Sequence, residues 1–200
     1  MEYTNTTTEI TTQIVDLKLV GKTDENEQGG WGAVIKRSLQ PGQFYLLEKK
    51  PEIASSLYYN LVEPTVVFTL SKSASVFLLE LLLLRVEPLD EDLSKKMRME
   101  RAKAGGFNVD DLCKQINFLE NRPMWVDDSE IQSITELCEK CRRMKKERHI
   151  QYVVIDDIYG VPTPQSVLEG LEAPDANYRQ LCQLAKELDL VVIALLEDEE

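Results

Sequence analysis

Histidine is nearly absent: His149 is the only one in 200 residues. It stands between a basic helix end and an apolar run, where a solvated residue near a helix C-terminus is expected rather than a catalytic base. No Ser–His–Asp arrangement is suggested. Cysteine is sparse, with four residues at 113, 138, 141 and 182. "MEYTNTTTEITTQ" has no apolar core of the kind a secretory leader carries, so reduced thiols in a cytoplasmic protein are expected. Positive charge is in deficit, 23 Lys and Arg against 35 Asp and Glu for a net charge of −12, which argues against general affinity for nucleic acid or anionic membranes. The apolar run "VFLLELLLLRV" (76–86) is interrupted by Glu80 and is too short to span a bilayer, so it reads as a buried helix.

What is present is an alternation of strand and helix signals. Residues 1–12 are Thr-rich and polar and are expected to be a flexible tail, with a single domain over 13–200. A strand is plausible over 9–20, followed by a loop at 21–30 and a turn at "LQPG" (39–42). Strands are expected at "QFYLLE" (43–48), "TVVFTL" (65–70), "MWVDD" (124–128), "QYVVIDD" (151–157) and "LVVIALL" (190–196). Helices are expected over 73–86, 90–104, 108–120, 130–147 (after the capping candidate Ser129) and 175–188, with a Pro/Gly loop at 159–174. Five strands separated by helices imply an α/β fold, with a mostly parallel sheet covered on both faces.

Several motifs invite chemistry. "CEKC" (138–141) has the spacing of half a metal or redox site. Yet Ile131, Ile134, Leu137, Cys138, Cys141 and Met144 recur at spacings of three and four, which places both thiols on the apolar face of one helix as core residues. Two basic runs, "KKMRMERAK" (95–103) and "RRMKKERH" (142–149), suggest a nucleic-acid groove through Lys95, Lys96, Arg98, Arg142, Arg143, Lys145 and Lys146. Neither run is interleaved with aromatic residues, and solvated helix faces are the simpler reading. "VVIDD" (153–157) is an apolar strand tipped with Asp, an arrangement that can hold Mg²⁺ or form a plain turn.

Taken in order, these segments resemble the C-terminal motor domain of bacterial hexameric replicative DNA helicases, a RecA-like fold. "LQPGQFYLLEKKP" is similar to that family's "LxPxxLxxxAARP", and "VVFTLSKS" to the strand ending in "FSLEM". "YVVIDDIYGV" is similar to the magnesium-site strand "xxIIDYLQL", and "YRQLCQLAKELDLVVIALLEDE" to "IxxxLKxLAKELxxPVxxLSQLNR", with "LAKEL" identical. The resemblance runs from about residue 30 to 196 and implies a P-loop NTPase core. It also implies further strands beyond the last one here, so a core truncated after that strand is expected.

The resemblance implies functional residues that the chain replaces. Where the family has "RPxxGKTT", this sequence has "KPEIASS", a vestigial phosphate loop at Lys50, Pro51, Glu52, Ser55 and Ser56 with no glycine and no phosphate-binding lysine. Lys49 and Lys50 precede the turn and are not expected to reach the phosphate position. Glu52 puts a carboxylate near that position, and two like charges ~4 Å apart repel by about 4 kcal/mol at an effective dielectric of ~20. Ser71 stands where the family has its catalytic Glu, and Glu197 where it has a phosphate-sensing Gln. Asp156 remains as a magnesium ligand only if nucleotide binds.

The leading expectation is a degenerate RecA-like domain without ATP hydrolysis, without a cofactor and without membrane association. It would act by binding a protein partner or a second copy, with 43–48 near an open sheet edge covered by 9–20 or by that copy. The first alternative is an ATP- and Mg-binding helicase-like ATPase using Asp156 with Ser55 or Ser56. The second is a nucleic-acid accessory protein using the basic runs.

Overall fold

The computed structural model describes residues 39–49, 57–86, 109–163 and 173–196. The strand expected over 9–20, the helix over 90–104 and the turn at 50–56 lie outside the described residues.

The five apolar, β-branched runs are the five strands: β1 (Gln43–Glu48), β2 (Thr65–Phe68), β3 (Met124–Asp127), β4 (Tyr152–Ile155) and β5 (Val191–Leu196). They form one sheet in the order β1-β5-β4-β2-β3, with every described pairing parallel. Among the described residues, the helices that accompany it include α1 (Ala74–Val86), α2 (Val109–Glu120), α3 (Ile134–Arg148) and α4 (Ala173–Leu188). Residues 57–60 are also helical.

Side chains alternate across a strand, so each strand feeds two cores. Phe44, Leu46 and Val153 face α3 and α4, where Ile134, Leu137 and Leu181 meet them. Tyr45, Leu47 and Val154 face the opposite side, closed by Leu57, Tyr58, Phe77 and Leu81. β2 and β4 are buried at every position, as suits strands covered on both faces. β3 is half-buried throughout, as suits a strand at the margin of the described sheet. β1 forms the other margin of that sheet.

Turn chemistry sets the ends. Gly42 in the "LQPG" turn has φ +77 and its N–H donates to Leu190 O at 2.9 Å, so the chain enters β1 alongside β5. Pro174 falls in the first turn of α4, where a missing N–H costs nothing.

One expectation is corrected. The cap of α3 is Ser133, not Ser129. Ser133 is extended at φ −166, and its hydroxyl accepts from the Glu136 N–H at 3.2 Å, while Glu136 Oε2 accepts from the Gln132 N–H at 2.9 Å. Ser129 instead closes the turn after β3, donating from its N–H to Asp127 Oδ1 at 2.9 Å. Ser133→Ala is therefore expected to lower stability by about 1 kcal/mol in chemical denaturation, and Ser129→Ala to leave the α3 cap intact.

Candidate functional site

The carboxyl ends of the strands converge on Asp156. It follows β4, and its N–H continues the ladder by donating to Phe68 O at 2.9 Å. Lys49 follows β1, its N–H donating to Leu196 O at 2.7 Å. The segment after β2 turns back on itself: the Thr69 hydroxyl donates to Lys72 O at 2.8 Å, and Asp128 Oδ2 accepts from the Ala74 N–H at 2.8 Å where α1 begins. That turn aims Lys72 at the end of β4.

Asp156 is 1% exposed, and both of its carboxylate oxygens are taken by the protein itself. Tyr58 Oη donates to Oδ1 at 3.0 Å. Lys49 Nζ donates to Oδ2 at 2.9 Å and to the Asp156 carbonyl at 3.0 Å. Lys72 Nζ lies 3.2 Å from the same Oδ2 and 2.7 Å from Glu80 Oε2, which projects from α1. The Lys49 and Lys72 side chains are only 14% and 11% exposed. Among the described residues, two ammoniums and two carboxylates meet at this site. Buried ions persist only when paired and hydrogen-bonded in this way.

The neighbours set the titration behaviour. Burial pulls the Lys72 ammonium down, but Asp156 and Glu80 together outweigh it and hold its pKa above the usual lysine value. Burial, reinforced by the Asp156 charge, pushes the Tyr58 phenol well above its usual range. Tyr58 is therefore a donor and Lys72 a cation at any physiological pH.

A nucleotide-bound Mg²⁺ would need oxygen ligands at ~2.0–2.1 Å in octahedral geometry. The residues present do not fit it: Asp156 Oδ1 accepts from a phenol, Oδ2 accepts from two ammoniums, and a dication would arrive against two positive charges. Lys49 thus reaches Asp156, a contact not expected of a residue preceding the turn. Ser71 is exposed and offers a hydroxyl, not a carboxylate. Asp157 faces away into a local role, accepting from the Tyr159 N–H at 3.1 Å at the start of a 3₁₀ turn. Lys50, Pro51, Glu52, Ser55, Ser56 and Glu197 lie outside the described residues.

The other candidates fall into structural places. Cys138 and Cys141 are buried on α3; burial pushes the Cys138 thiol up to about 11 and Cys141 well above its usual value. Among the described residues, no group of three or more His, Cys, Asp and Glu side chains could hold a metal ion. His149 is the exposed C-cap of α3, at φ +54, with its N–H on Lys145 O. Within the basic run of α3, Arg142 makes a two-pronged pair with Glu187 of α4 at 2.9 and 2.8 Å. Arg148 lies 5.7 Å from the Trp125 ring centroid. Arg143 and Lys146 are exposed and Lys145 is half-buried. Lys95, Lys96 and Arg98 lie outside the described residues. No described helix is long and apolar enough to cross a membrane. Tyr58, Lys72 and Glu80 are not expected at the site from the sequence, and Lys49 is expected before the turn and away from it; the available signal is a lysine just beyond each of two apolar strands, opposite a third strand tipped with Asp.

A parallel sheet in which β5 separates β1 from the Asp-tipped β4, with helices on both faces, defines a RecA-like α/β core. The sequence matches the model of the DnaB-like helicase C terminal domain over residues 38–197, and the chain belongs to that family. A curated relative, the replicative DNA helicase DnaB of Leifsonia xyli subsp. xyli (strain CTCB07), is 24% identical over 172 residues, covering 80% of this chain and 36% of its own length. The chain thus spans about a third of that relative. Among the solved structures that match, two illustrate the shared fold. One, an isolated ATPase domain, superposes with a TM-score of 0.59 at 17% identity, covering 98% of this chain and 72% of that one. The other, a DnaB-like replicative helicase described with its interactions with primase, gives 0.58 at 18% identity, covering 80% of this chain and 39% of that one.

Proposed function

We propose that this helicase-family domain neither hydrolyses ATP nor binds Mg·ATP tightly, and that it works by engaging a protein partner or a second copy of itself. The observation that carries this reading is the closure of Asp156 by Tyr58, Lys49 and Lys72. An aspartate that must orient a hydrated magnesium ion cannot also neutralise two buried ammoniums. The exposed Ser71 supports the reading, because it leaves the attacking water without a base, as does the lack of glycine and a phosphate-binding lysine in "KPEIASS".

The protein-binding half of the reading draws on the relatives. The helicase structure described with its interactions with primase shows one member of this fold engaged in protein contacts. The pairing of Arg142 with Glu187 reduces the positive charge that the second basic run offers to a nucleic acid. Isothermal titration with Mg·ATP tests the first half, with no saturable heat expected below ~1 mM, a ceiling of about −4 kcal/mol in binding free energy. Sub-millimolar affinity or magnesium-dependent ATP turnover would overturn it. Sedimentation of the full chain tests self-association.

A further inference from the structure

Lys72 Nζ is 2.7 Å from Glu80 Oε2 and 3.2 Å from Asp156 Oδ2, so one ammonium bridges carboxylates supplied by α1 and by the end of β4. Lys49 Nζ approaches the same Oδ2 at 2.9 Å from the end of β1. Together the two amines carry the charge of one divalent ion. Unlike an ion, they are tethered to the chain and cannot dissociate. Tyr58 takes Oδ1 and leaves Oδ2 as the oxygen that faces the positive charge.

We infer that Lys49 and Lys72 together stand in for a divalent cation at Asp156, and that replacing both uncovers a divalent-cation site built from Asp156 and Glu80. This rests on the reading that the domain does without Mg·ATP, and adds what fills the place instead. Ca²⁺ accepts oxygens at ~2.3–2.6 Å in flexible geometry. The Glu80 oxygen, held 2.7 Å from the ammonium, needs to move by a few tenths of an ångström and the Asp156 oxygen, held at 3.2 Å, by less than one ångström to meet it. The wild-type site rejects the ion because two fixed ammoniums repel it. Lifting each repulsion at this range is worth roughly tenfold or more in affinity.

Terbium(III), a calcium-like ion whose emission is excited through a neighbouring phenol, reads this site directly, because Tyr58 Oη is 3.0 Å from Asp156 Oδ1. In the full chain, Lys49→Met/Lys72→Met is expected to gain saturable emission that Ca²⁺ competes away and that adding Asp156→Asn abolishes. The wild type is expected to bind roughly a hundredfold more weakly. Lys72→Met alone is the milder variant, expected to gain roughly tenfold. A double variant that folds only on adding Ca²⁺, followed by circular dichroism, also supports the inference. A folded variant that emits no more than wild type overturns it, as does a double variant that stays unfolded in Ca²⁺ beside a folded, silent Lys72→Met. Neither result touches the calorimetric test of ATP binding, which is made on the wild type alone.

Discussion

Replacing Asp156 by alanine is expected to lower the stability of the fold by about 3–5 kcal/mol, the cost of breaking a buried ion group from one side. The substitution takes one carboxylate partner from the Lys49 and Lys72 ammoniums, which are 14% and 11% exposed. It also takes the acceptor from the buried Tyr58 hydroxyl, and an unmet buried polar group costs a further ~1–3 kcal/mol. Natural domains have only about 5–15 kcal/mol in hand, so a large share of molecules should unfold under mild conditions. Urea denaturation followed by circular dichroism measures the effect, provided the slope of the transition is unchanged. The compensated variant is diagnostic. Adding Lys49→Met and Lys72→Met in the Asp156→Ala background removes the two ammoniums that lost this carboxylate and should recover more than ~1 kcal/mol of the loss, a coupling that independent sites do not show. A shift below ~1 kcal/mol for Asp156→Ala would mean that the carboxylate is solvated, as a magnesium ligand at a wet site would be.

The second large effect is expected at Arg122, just before β3. Its guanidinium donates from Nη1 to Leu61 O and from Nη2 to Tyr59 O, satisfying carbonyls in and just past the helical residues 57–60. The same group lies 4.2 Å from the Phe118 ring centroid, and Phe118 stacks on Tyr59 at 5.3 Å. One side chain thereby joins α2, β3 and the stretch that carries Tyr58. Arg122→Ala is expected to cost about 2–3 kcal/mol, since hydrogen bonds to a charged group contribute ~1.5–3 kcal/mol and the stacked cation adds up to ~1 kcal/mol. Arg122→Lys keeps the charge but lacks the planar fork, so it should recover less than half of the loss. Thermal melts of the two variants beside wild type decide the matter, and equal melting temperatures for Arg122→Lys and wild type would count against the fork.

The strands were readable in the sequence to within one or two residues, because β-branched runs buried on both faces admit no polar interruption. "TVVF", "YVVI" and "VVIALL" could sit in few other places. The helix that carries Cys138 and Cys141 was readable for the same reason, through its three-and-four spacing. The cap was not. Ser129 and Ser133 both precede the helix at plausible positions, and the choice rests on which hydroxyl meets the Glu136 N–H, a matter of backbone direction after β3. The cluster at Asp156 was least readable. Its members come from four separate stretches, with Lys49 107 residues and Tyr58 98 residues from the carboxylate they share. A lysine after a strand reads as solvated in any single window, and only the strand order turns it inward.

That strand order also governs how the chain can be made. β5 lies between β1 and β4, and among the described residues it is the only strand that β1 pairs with. During synthesis, β1 leaves the ribosome long before Val191–Leu196 exist. At about 5–20 residues per second the wait is on the order of ten seconds. Through that interval Phe44, Leu46, Tyr45 and Leu47 have none of the other described strands to lie beside, while β2, β3 and β4 can already assemble. The nascent chain therefore passes through a state with a half-built sheet and one unplaced apolar strand, the kind of species that chaperones retain.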